Sequence, residues 1–352
     1  MNSLLGQGGE WPGAVAVSGG ADSLALLFLL TDWACAMGLP LPTALTVDHG
    51  LQPQSGDYAQ EVANRATQHG LAAHVLRWRG RKPMANVESA AREARYRLLG
   101  EWCRRNSILS LYVAHTLEDQ AETFLLRLMR GSGVDGLSAM AVVAPFPSVE
   151  CQQLCVARPL LSVPRAKLRA YLSGRGESWL EDGMNSDPRF ARVRLRADWP
   201  ALSDMGFSAE RIGAAARHLR RARAALEMDT VALLARTSCT RNGLLLIDAA
   251  QLCAAPEEIG LRALAAALMQ VSRRHYRPRF ERLERLLTAI RAGTLGRGKT
   301  LHGCCIGVAP RRQACFGGQT LRIAREAGRH TVGDENRNGL DKDEGVKLAK
   351  MS

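Results

Sequence analysis

No stretch of this chain approaches the ~18 consecutive apolar residues of a membrane-spanning helix, although 46% of its 352 residues are hydrophobic. A soluble, globular chain of two or three domains without a membrane partner is expected. Met1 to Trp11 has neither the basic start nor the apolar stretch of a secretory signal, so a cytoplasmic protein is expected. Paired cysteines are missing too. The nine cysteines are an odd number, scattered, with no CxxC, which argues against a disulfide framework and the usual zinc spacings. Cys151 and Cys155 are spaced like ligands, but no second cluster completes a site, so no structural metal is expected. There is no internal repeat.

Positive charge is abundant. The chain carries 47 Lys+Arg against 34 Asp+Glu, a net +13, and residues 201–330 alone hold 22 basic and 10 acidic residues. A region so biased suits a polyanion, and a solvated arginine-rich surface is the plainer alternative; composition leaves the two even.

The most informative stretch is Ser18-Gly19-Gly20-Ala21-Asp22-Ser23. Before it, Ala14-Val15-Ala16-Val17 is short, branched and continuous, as a strand buried on both faces should be. After it, Leu24, Leu27, Phe28 and Leu30 recur at helical spacing. Two glycines let the backbone turn and approach a ligand closely, and the opening of a helix attracts anions through its free amides and dipole. That arrangement cradles a phosphate. Its spacing is neither GxxxxGK[ST] nor GxGxxG.

Strand-like and helical stretches then alternate. Thr43–Gly50 is an apolar strand with a polar end, followed by a helix from Gly56 to His69 that Ser55 is placed to cap. His74–Trp78 is a third strand, Val87–Arg105 a long helix, Ser110–Ala114 a fourth strand, and Glu118–Arg130 a helix. The pattern predicts an α/β fold with a doubly wound parallel sheet, whose ligands sit at the carboxyl ends of the strands. Asp48, His49 and His115 lie at those ends. Residues 131–158 are rich in Gly and Pro and read as connection, and a helix begins near Pro164.

Past Pro200 the character changes. Ser208 is placed to cap a long helix in which Ile212, Leu219, Leu226 and Leu233 recur every seven residues, a core stripe flanked by Arg217, Arg220, Arg221 and Arg223. A strand at Leu244–Ile247 and helices at Pro256–Val271 and Pro278–Ala292 follow. The expected domains are residues 1–200, a mainly helical basic region with a few strands at 201–325, and a disordered tail at 326–352. Gly293–Thr300 matches GxxxxGKT, but it follows a helix where a strand is required and precedes a strand where a helix is required. It is read as a turn.

The Ser18–Ser23 hexapeptide resembles the phosphate loop of the ATP-pyrophosphatase (PP-loop) family, which splits ATP into AMP and pyrophosphate. Further stretches resemble one branch, the tRNA(Ile)-lysidine synthase family. They are Val47–Leu51, Ala90–Tyr96, Ala114–Thr123, Arg130–Gly133, Arg158–Leu161 and Asp182–Arg194. The resemblance implies an adenine nucleotide hydrolase-like fold and an enzyme that joins L-lysine to the wobble cytidine of a CAU-anticodon isoleucine tRNA. In that reaction ATP adenylates the cytosine 2-carbonyl oxygen and the lysine amine displaces AMP. The alternatives are a thiolase of the same group, whose chemistry normally needs the paired cysteines missing here, and a non-catalytic basic RNA-binding protein. The oligomeric state stays open.

On this reading Ser18, Gly19, Gly20, Ala21, Asp22, Ser23, Asp48 and His49 bind ATP. Asp22 and Asp119 order Mg²⁺, with Asp22, Glu118, Asp119 and Glu122 as the catalytic acids; Asp119 is alternatively the base that deprotonates the amine. His115, Arg92, Arg95 and Arg130 meet the substrates, although Arg92 and Arg95 read equally well as surface ion pairs. Arg192, Arg194, Arg220, Arg221 and Arg223 contact tRNA. Two residues depart from the family's two histidines and two aspartates: Thr116 replaces a His and Glu118 an Asp.

Overall fold

In the computed structural model, which describes residues 10–83, 87–180, 191–274 and 276–326, the apolar run before the Ser18–Ser23 loop forms β1 (Ala14–Ala16) in the middle of a six-stranded sheet. The chain divides into two units, 1–223 and 224–352. The compositional change past Pro200 lies within the first of these units.

In the first unit β1 continues through α1 (Ala21–Ala36), β2 (Thr43–Asp48), α2 (Ser55–Gln68), β3 (Ala73–Arg77), α3 (Val87–Arg105), β4 (Ser110–Tyr112) and α4 (Leu117–Leu128). β1 pairs in parallel with β2 on one side and β4 on the other, and β2 pairs with β3. The chain therefore winds outward from β1 to β3 and returns to β4, placing the topological switch point between β1 and β4. A crevice opens there at the carboxyl ends of the strands. Alternate strand residues bury on opposite faces: Val15 and Tyr112 pack with Leu24, Leu27 and Phe28 of α1, and Ala14 and Leu111 with Tyr96 and Leu99 of α3.

Residues 131–158, expected to be connection, hold a short helix α5 (Val134–Leu137) and two strands, β5 (Val143–Pro145) and β6 (Cys155–Ala157). β6 adds to β4 in parallel and β5 closes the edge antiparallel, so the sheet is mixed, ordered β3-β2-β1-β4-β6-β5. Pro145 is tolerated because β5 is an edge strand. Helices α6 (Arg165–Gly174), α7 (Ala191–Ala197) and α8 (Trp199–Asp204) follow, and Leu168 and Leu172 of α6 join the α1 face of the core.

Helix α9 (Ala209–Thr237) is capped as expected, the Arg211 amide donating to Ser208 Oγ at 3.2 Å. Ser55, by contrast, lies inside the first turn of α2, and its hydroxyl donates to Asp48 instead. In the second unit β7 (Ser238–Arg241), β8 (Leu244–Asp248), β9 (Lys299–Leu301), β10 (Cys304–Val308) and β11 (Thr320–Arg325) form an antiparallel sheet ordered β7-β8-β11-β10-β9. It packs with α10 (Ala249–Ala254), α11 (Glu257–Ser272) and α12 (Phe280–Arg291), and with Leu233 of the leucine stripe, around one apolar core. Gly293–Thr300 runs from α12 into β9 with Gly298 at φ +117°, a turn as its context required. The Asp182–Phe190 part of the family-like motif and the tail beyond Glu326 lie outside the described residues.

Candidate active site

The Ser18–Ser23 loop organises itself through one hydroxyl. Ser23 Oγ accepts from the Ser18 amide at 3.1 Å and donates to the Gly20 carbonyl at 2.9 Å, drawing the ends of the loop together where α1 begins. Gly19 has φ +86°, and a Cβ there would meet Val62 Cγ2 at 2.7 Å and Leu180 Cδ1 at 3.0 Å. No L side chain fits. Gly20 occupies the cap position of α1 without a capping side chain. The first amides of a helix have no acceptor inside it, so this opening suits an anion. At the end of β2, Asp48 Oδ1 accepts from the Gly50 amide at 2.9 Å and the Ser55 hydroxyl at 2.7 Å, which fixes the turn carrying His49. The His49 ring stands edge-on to Trp78.

Across the switch point, α4 starts with a capping box. Thr116 Oγ1 accepts from the Asp119 amide, while Asp119 Oδ2 accepts from the Thr116 amide at 2.9 Å and hydroxyl at 3.1 Å. Thr116, the departure from a family histidine, therefore serves as the helix cap. The carboxylate of Glu118 accepts from the backbone amide of Arg165, at 3.0 and 3.1 Å to its two oxygens, and so caps α6 from outside. Glu118 is a support. Asp119 keeps Oδ1 for the crevice.

Two residues that sequence reasoning did not single out complete the site. Arg165, the first residue of α6, places its guanidinium among three carboxylates: Nη2 lies 2.6 Å from Asp119 Oδ1, Nε 3.3 Å from Asp22 Oδ2 and Nη1 3.4 Å from Glu122 Oε1. Arg196 of α7 grips Glu122 from the other side, with Nε at 2.7 Å from Oε1 and Nη2 at 3.2 Å from Oε2. Glu122, 2% exposed, is thus held by two guanidinium groups, the form in which a buried carboxylate is tolerated.

Burial raises the pKa of Asp22 and the neighbouring charges of Asp119 and Glu118 add to that, while Arg165 opposes them. Burial acts in the same sense on Asp119, but Arg165, the Thr116 amide, His115 and Arg192 together bring its pKa below the usual carboxylate value. His115 is pushed down to about 3, chiefly by burial and also by Arg158, Arg192 and Arg92, against the opposing pull of Asp119. It is therefore a neutral imidazole at ordinary pH, and its buried Nδ1 has no hydrogen-bond partner among the described residues.

The other expected site residues are distributed as follows. Arg92 and Arg95 stack on Tyr96, 5.0 and 5.6 Å from its ring centre, and burial lowers the pKa of Arg95. Arg130 is exposed beyond the far end of α4, roughly 16 Å along the helix axis from Asp119, so the structure does not bring it to the carboxylates. Arg192 Nη2 donates to Thr123 Oγ1 at 3.4 Å, and Arg194 is exposed on α7. Arg220 donates to the carbonyls of Ser138 and Met140, at 3.3 and 2.7 Å, and Arg223 pairs with Asp135 at 3.4 Å. Both hold residues 135–140 in place. Arg217 and Arg221 are exposed.

Among the described residues no group of three or more His, Cys, Asp or Glu side chains could by itself hold a metal ion. Mg²⁺, however, is normally bound by one or two carboxylates together with substrate phosphates. Asp22 and Asp119, hard oxygen donors facing each other across one guanidinium beside the phosphate loop, fit that requirement.

Residues 3–200 match the PP-loop domain family. The chain is 38% identical over 320 residues to the tRNA(Ile)-lysidine synthase of Wolbachia pipientis wMel, covering 90% of this chain and 71% of that one. It is 42% identical over 323 residues to the tRNA(Ile)-lysidine synthase of Methylobacterium sp. strain 4-46, covering 88% and 90%. A solved structure, the U34-tRNA thiolase NcsA from Methanococcus maripaludis with its [4Fe-4S] cluster, is similar with a TM-score of 0.47 and 17% identity over 59% of this chain and 71% of that one. That likeness is too slight to carry an argument.

One consequence of the site is a pH dependence of stability. The folded pKa of His115 lies far below its unfolded value, so His115 contributes stability that is complete above about pH 6.5 and is lost as pH falls toward about 3. Urea unfolding between pH 7 and 4.5 is expected to show stability falling with pH, His115 contributing up to about 1.4 kcal/mol per unit. His115→Gln flattens that dependence; an unchanged slope in a folded variant rules this origin out.

Proposed function

Because the chain belongs to the tRNA(Ile)-lysidine synthase family of PP-loop enzymes, we propose that it joins free L-lysine to the wobble cytidine of an isoleucine tRNA at the expense of ATP. The observation that carries this reading is the meeting, at the switch point of the sheet, of an anion-binding loop with the Asp22–Asp119–Glu122 carboxylates. The enzyme works in the cytoplasm, where tRNA and ATP are found. Among the described residues no helix is long and apolar enough to cross a membrane.

The chemical difficulty is the cytosine 2-carbonyl oxygen, a poor leaving group. Attack of that oxygen on the α-phosphorus of ATP expels pyrophosphate and leaves AMP bonded to the base. The neutral lysine ε-amine then attacks C2, AMP departs with the electron pair of the C–O bond, and the amine loses its proton. The loop of Ser18, Gly19, Gly20, Ala21 and Ser23 holds the departing pyrophosphate through amides and hydroxyls. Asp48 and His49 border the nucleotide from the end of β2. Asp22 and Asp119 would hold Mg²⁺, which would supply charge neutralisation at the phosphates.

Asp119 suits cation holding better than proton abstraction, since Oδ2 is committed to Thr116 and Oδ1 to a guanidinium. The neutral His115, which feels the charges of both Asp119 and Arg92, and the Arg92 and Arg95 stacked on Tyr96 are the groups to meet the base or the lysine carboxylate. Contact with tRNA phosphates falls to Arg194 and Arg221, and to the basic excess of the second unit.

Incubating the protein with ATP, labelled lysine and a transcript of a CAU-anticodon isoleucine tRNA tests the reading: label should appear in RNA with AMP and pyrophosphate released. RNA without label sinks it. Asp22→Ala is expected to abolish both steps in a folded protein. Asp119→Asn should slow turnover by about 10²-fold or more with ATP binding retained, whereas Glu118→Gln should act through stability, lowering the melting temperature with a smaller loss of rate. A dead Glu118→Gln beside an active Asp119→Asn reverses those roles. For tRNA affinity, Arg221→Gln should lower the slope of log affinity against log salt by about one, and Arg217→Gln with Arg221→Gln by about two. Filter binding at several salt concentrations reads this, and an unmoved slope removes this helix from the tRNA surface.

A further inference from the structure

Among the described residues of the first unit, Arg165 is placed unlike any other cation. It opens α6, and its backbone amide is clamped by the carboxylate of Glu118, so the root of the side chain is fixed from behind. Its guanidinium then spans carboxylates from two helices, Asp22 of α1 and Asp119 and Glu122 of α4. Those three contacts are not equivalent. Glu122 is 2% exposed and has a second, bidentate partner in Arg196, and keeps a counter-ion whatever Arg165 does. Among the described residues Asp22 and Asp119 have no second arginine as close: Arg196 stands 3.9 Å from Asp119. The Asp22 contact is loose at 3.3 Å, with the side chains of Arg165 and Asp22 23% and 27% exposed, so this flank of the guanidinium is open to solvent.

The local charge count points the same way. Asp22, Glu118, Asp119 and Glu122 face Arg165 and Arg196, with Arg192 acting on Asp119 as well, so among the described residues the carboxylates outnumber the guanidinium groups. Among the described residues, the two carboxylates that share Arg165 without a second close partner are the pair whose oxygens suit a divalent cation.

We propose that Arg165 is a tethered counter-cation of the phosphate crevice, which holds Asp22 and Asp119 while no metal is bound and is displaced from both by a divalent cation arriving with the nucleotide. After displacement it stays beside Glu122, and the N–H donors released from Asp22 and Asp119 lie next to the Ser18–Ser23 loop, where phosphate oxygens arrive with the ion. The consequence is ordered loading. Without nucleotide the ion competes against a covalently attached cation and binds weakly; with nucleotide the phosphates supply further ligands, and Arg165 exchanges carboxylates for phosphate oxygens. This inference rests on the proposed reading of Asp22 and Asp119 as cation ligands.

The test is Mn²⁺ binding to the nucleotide-free, full-length protein, followed by the loss of the free-ion electron paramagnetic resonance signal at fixed ionic strength. Arg165→Gln should bind Mn²⁺ at least about tenfold more tightly than the wild type. Arg165→Lys, whose compact ammonium cannot span three carboxylates, should fall between them. Adding Asp119→Asn to Arg165→Gln should cancel the gain. If Arg165→Gln folds only when Mn²⁺ is present, the ion has replaced the guanidinium and the proposal stands. Wild-type affinity in a folded Arg165→Gln, or in Arg165→Lys where the glutamine variant stays unfolded even with Mn²⁺, overturns it. Lysine transfer by the same wild-type preparation separates the two readings: active enzyme with unchanged Mn²⁺ affinities refutes the role of Arg165 alone, and tightened Mn²⁺ binding without lysine transfer refutes the proposed reaction while leaving the counter-cation in place.

Discussion

Carboxylates cannot crowd into one crevice and all remain ionised unless cations stand between them. The first unit is arranged around that constraint. The sheet brings Asp22 to the end of β1 and Glu118, Asp119 and Glu122 to the end of β4, because the switch point makes those strands neighbours. The compensating charge comes from elsewhere in the chain, Arg165 at the start of α6 and Arg196 on α7. Compensation is incomplete, since burial and the residual repulsion of Asp119 and Glu118 still raise the pKa of Asp22. On the proposed reading, a divalent cation arriving with the nucleotide would supply the charge that is missing here.

The alternation of strands and helices up to Arg130 was legible in the sequence because short apolar runs, some only three residues as strands, stand between long helical patterns, and the glycine pair announced the phosphate turn. β5 and β6 were not. They are no shorter than β1 or β4, but no long helix separates them and both lie in a stretch whose glycines and prolines dominate its reading. β6 takes its hydrogen bonds from β4 and β5 from β6, pairings no local pattern reveals. Arg165 was hidden for a related reason, because the carboxylates that explain it are more than forty residues away in sequence. One signal was there. An arginine opening a helix whose first turn has no acidic residue opposes the helix dipole, and such a placement invites the question of what else holds it.

The departures from the family pattern acquire a physical meaning in the same place. Thr116 caps α4 and is tied to the carboxylate of Asp119, so it fixes that side chain at least as firmly as it closes the helix. Glu118 spends both oxygens on the Arg165 amide. Its extra methylene relative to aspartate gives reach toward the start of α6. Adjacent acids that look interchangeable in sequence are divided by helix geometry, which turns successive residues about 100° apart: one faces α6, the other the crevice.

The same sorting applies to the arginines, whose abundance was the least specific feature of the sequence. Arg127, Arg158 and Arg220 donate to backbone carbonyls, Arg165 and Arg196 to carboxylates, and Arg217 and Arg221 face solvent. A carbonyl satisfies a guanidinium N–H without cancelling its charge. Arginines of the first kind therefore still add to the positive field of the protein even though their donors are committed to folding, whereas those paired with carboxylates add little beyond their own crevice. Net charge and available contacts are thus separate quantities: the field that draws a polyanion toward the protein is set by many arginines, and the few with free donors at the surface are the ones that can hold its phosphates.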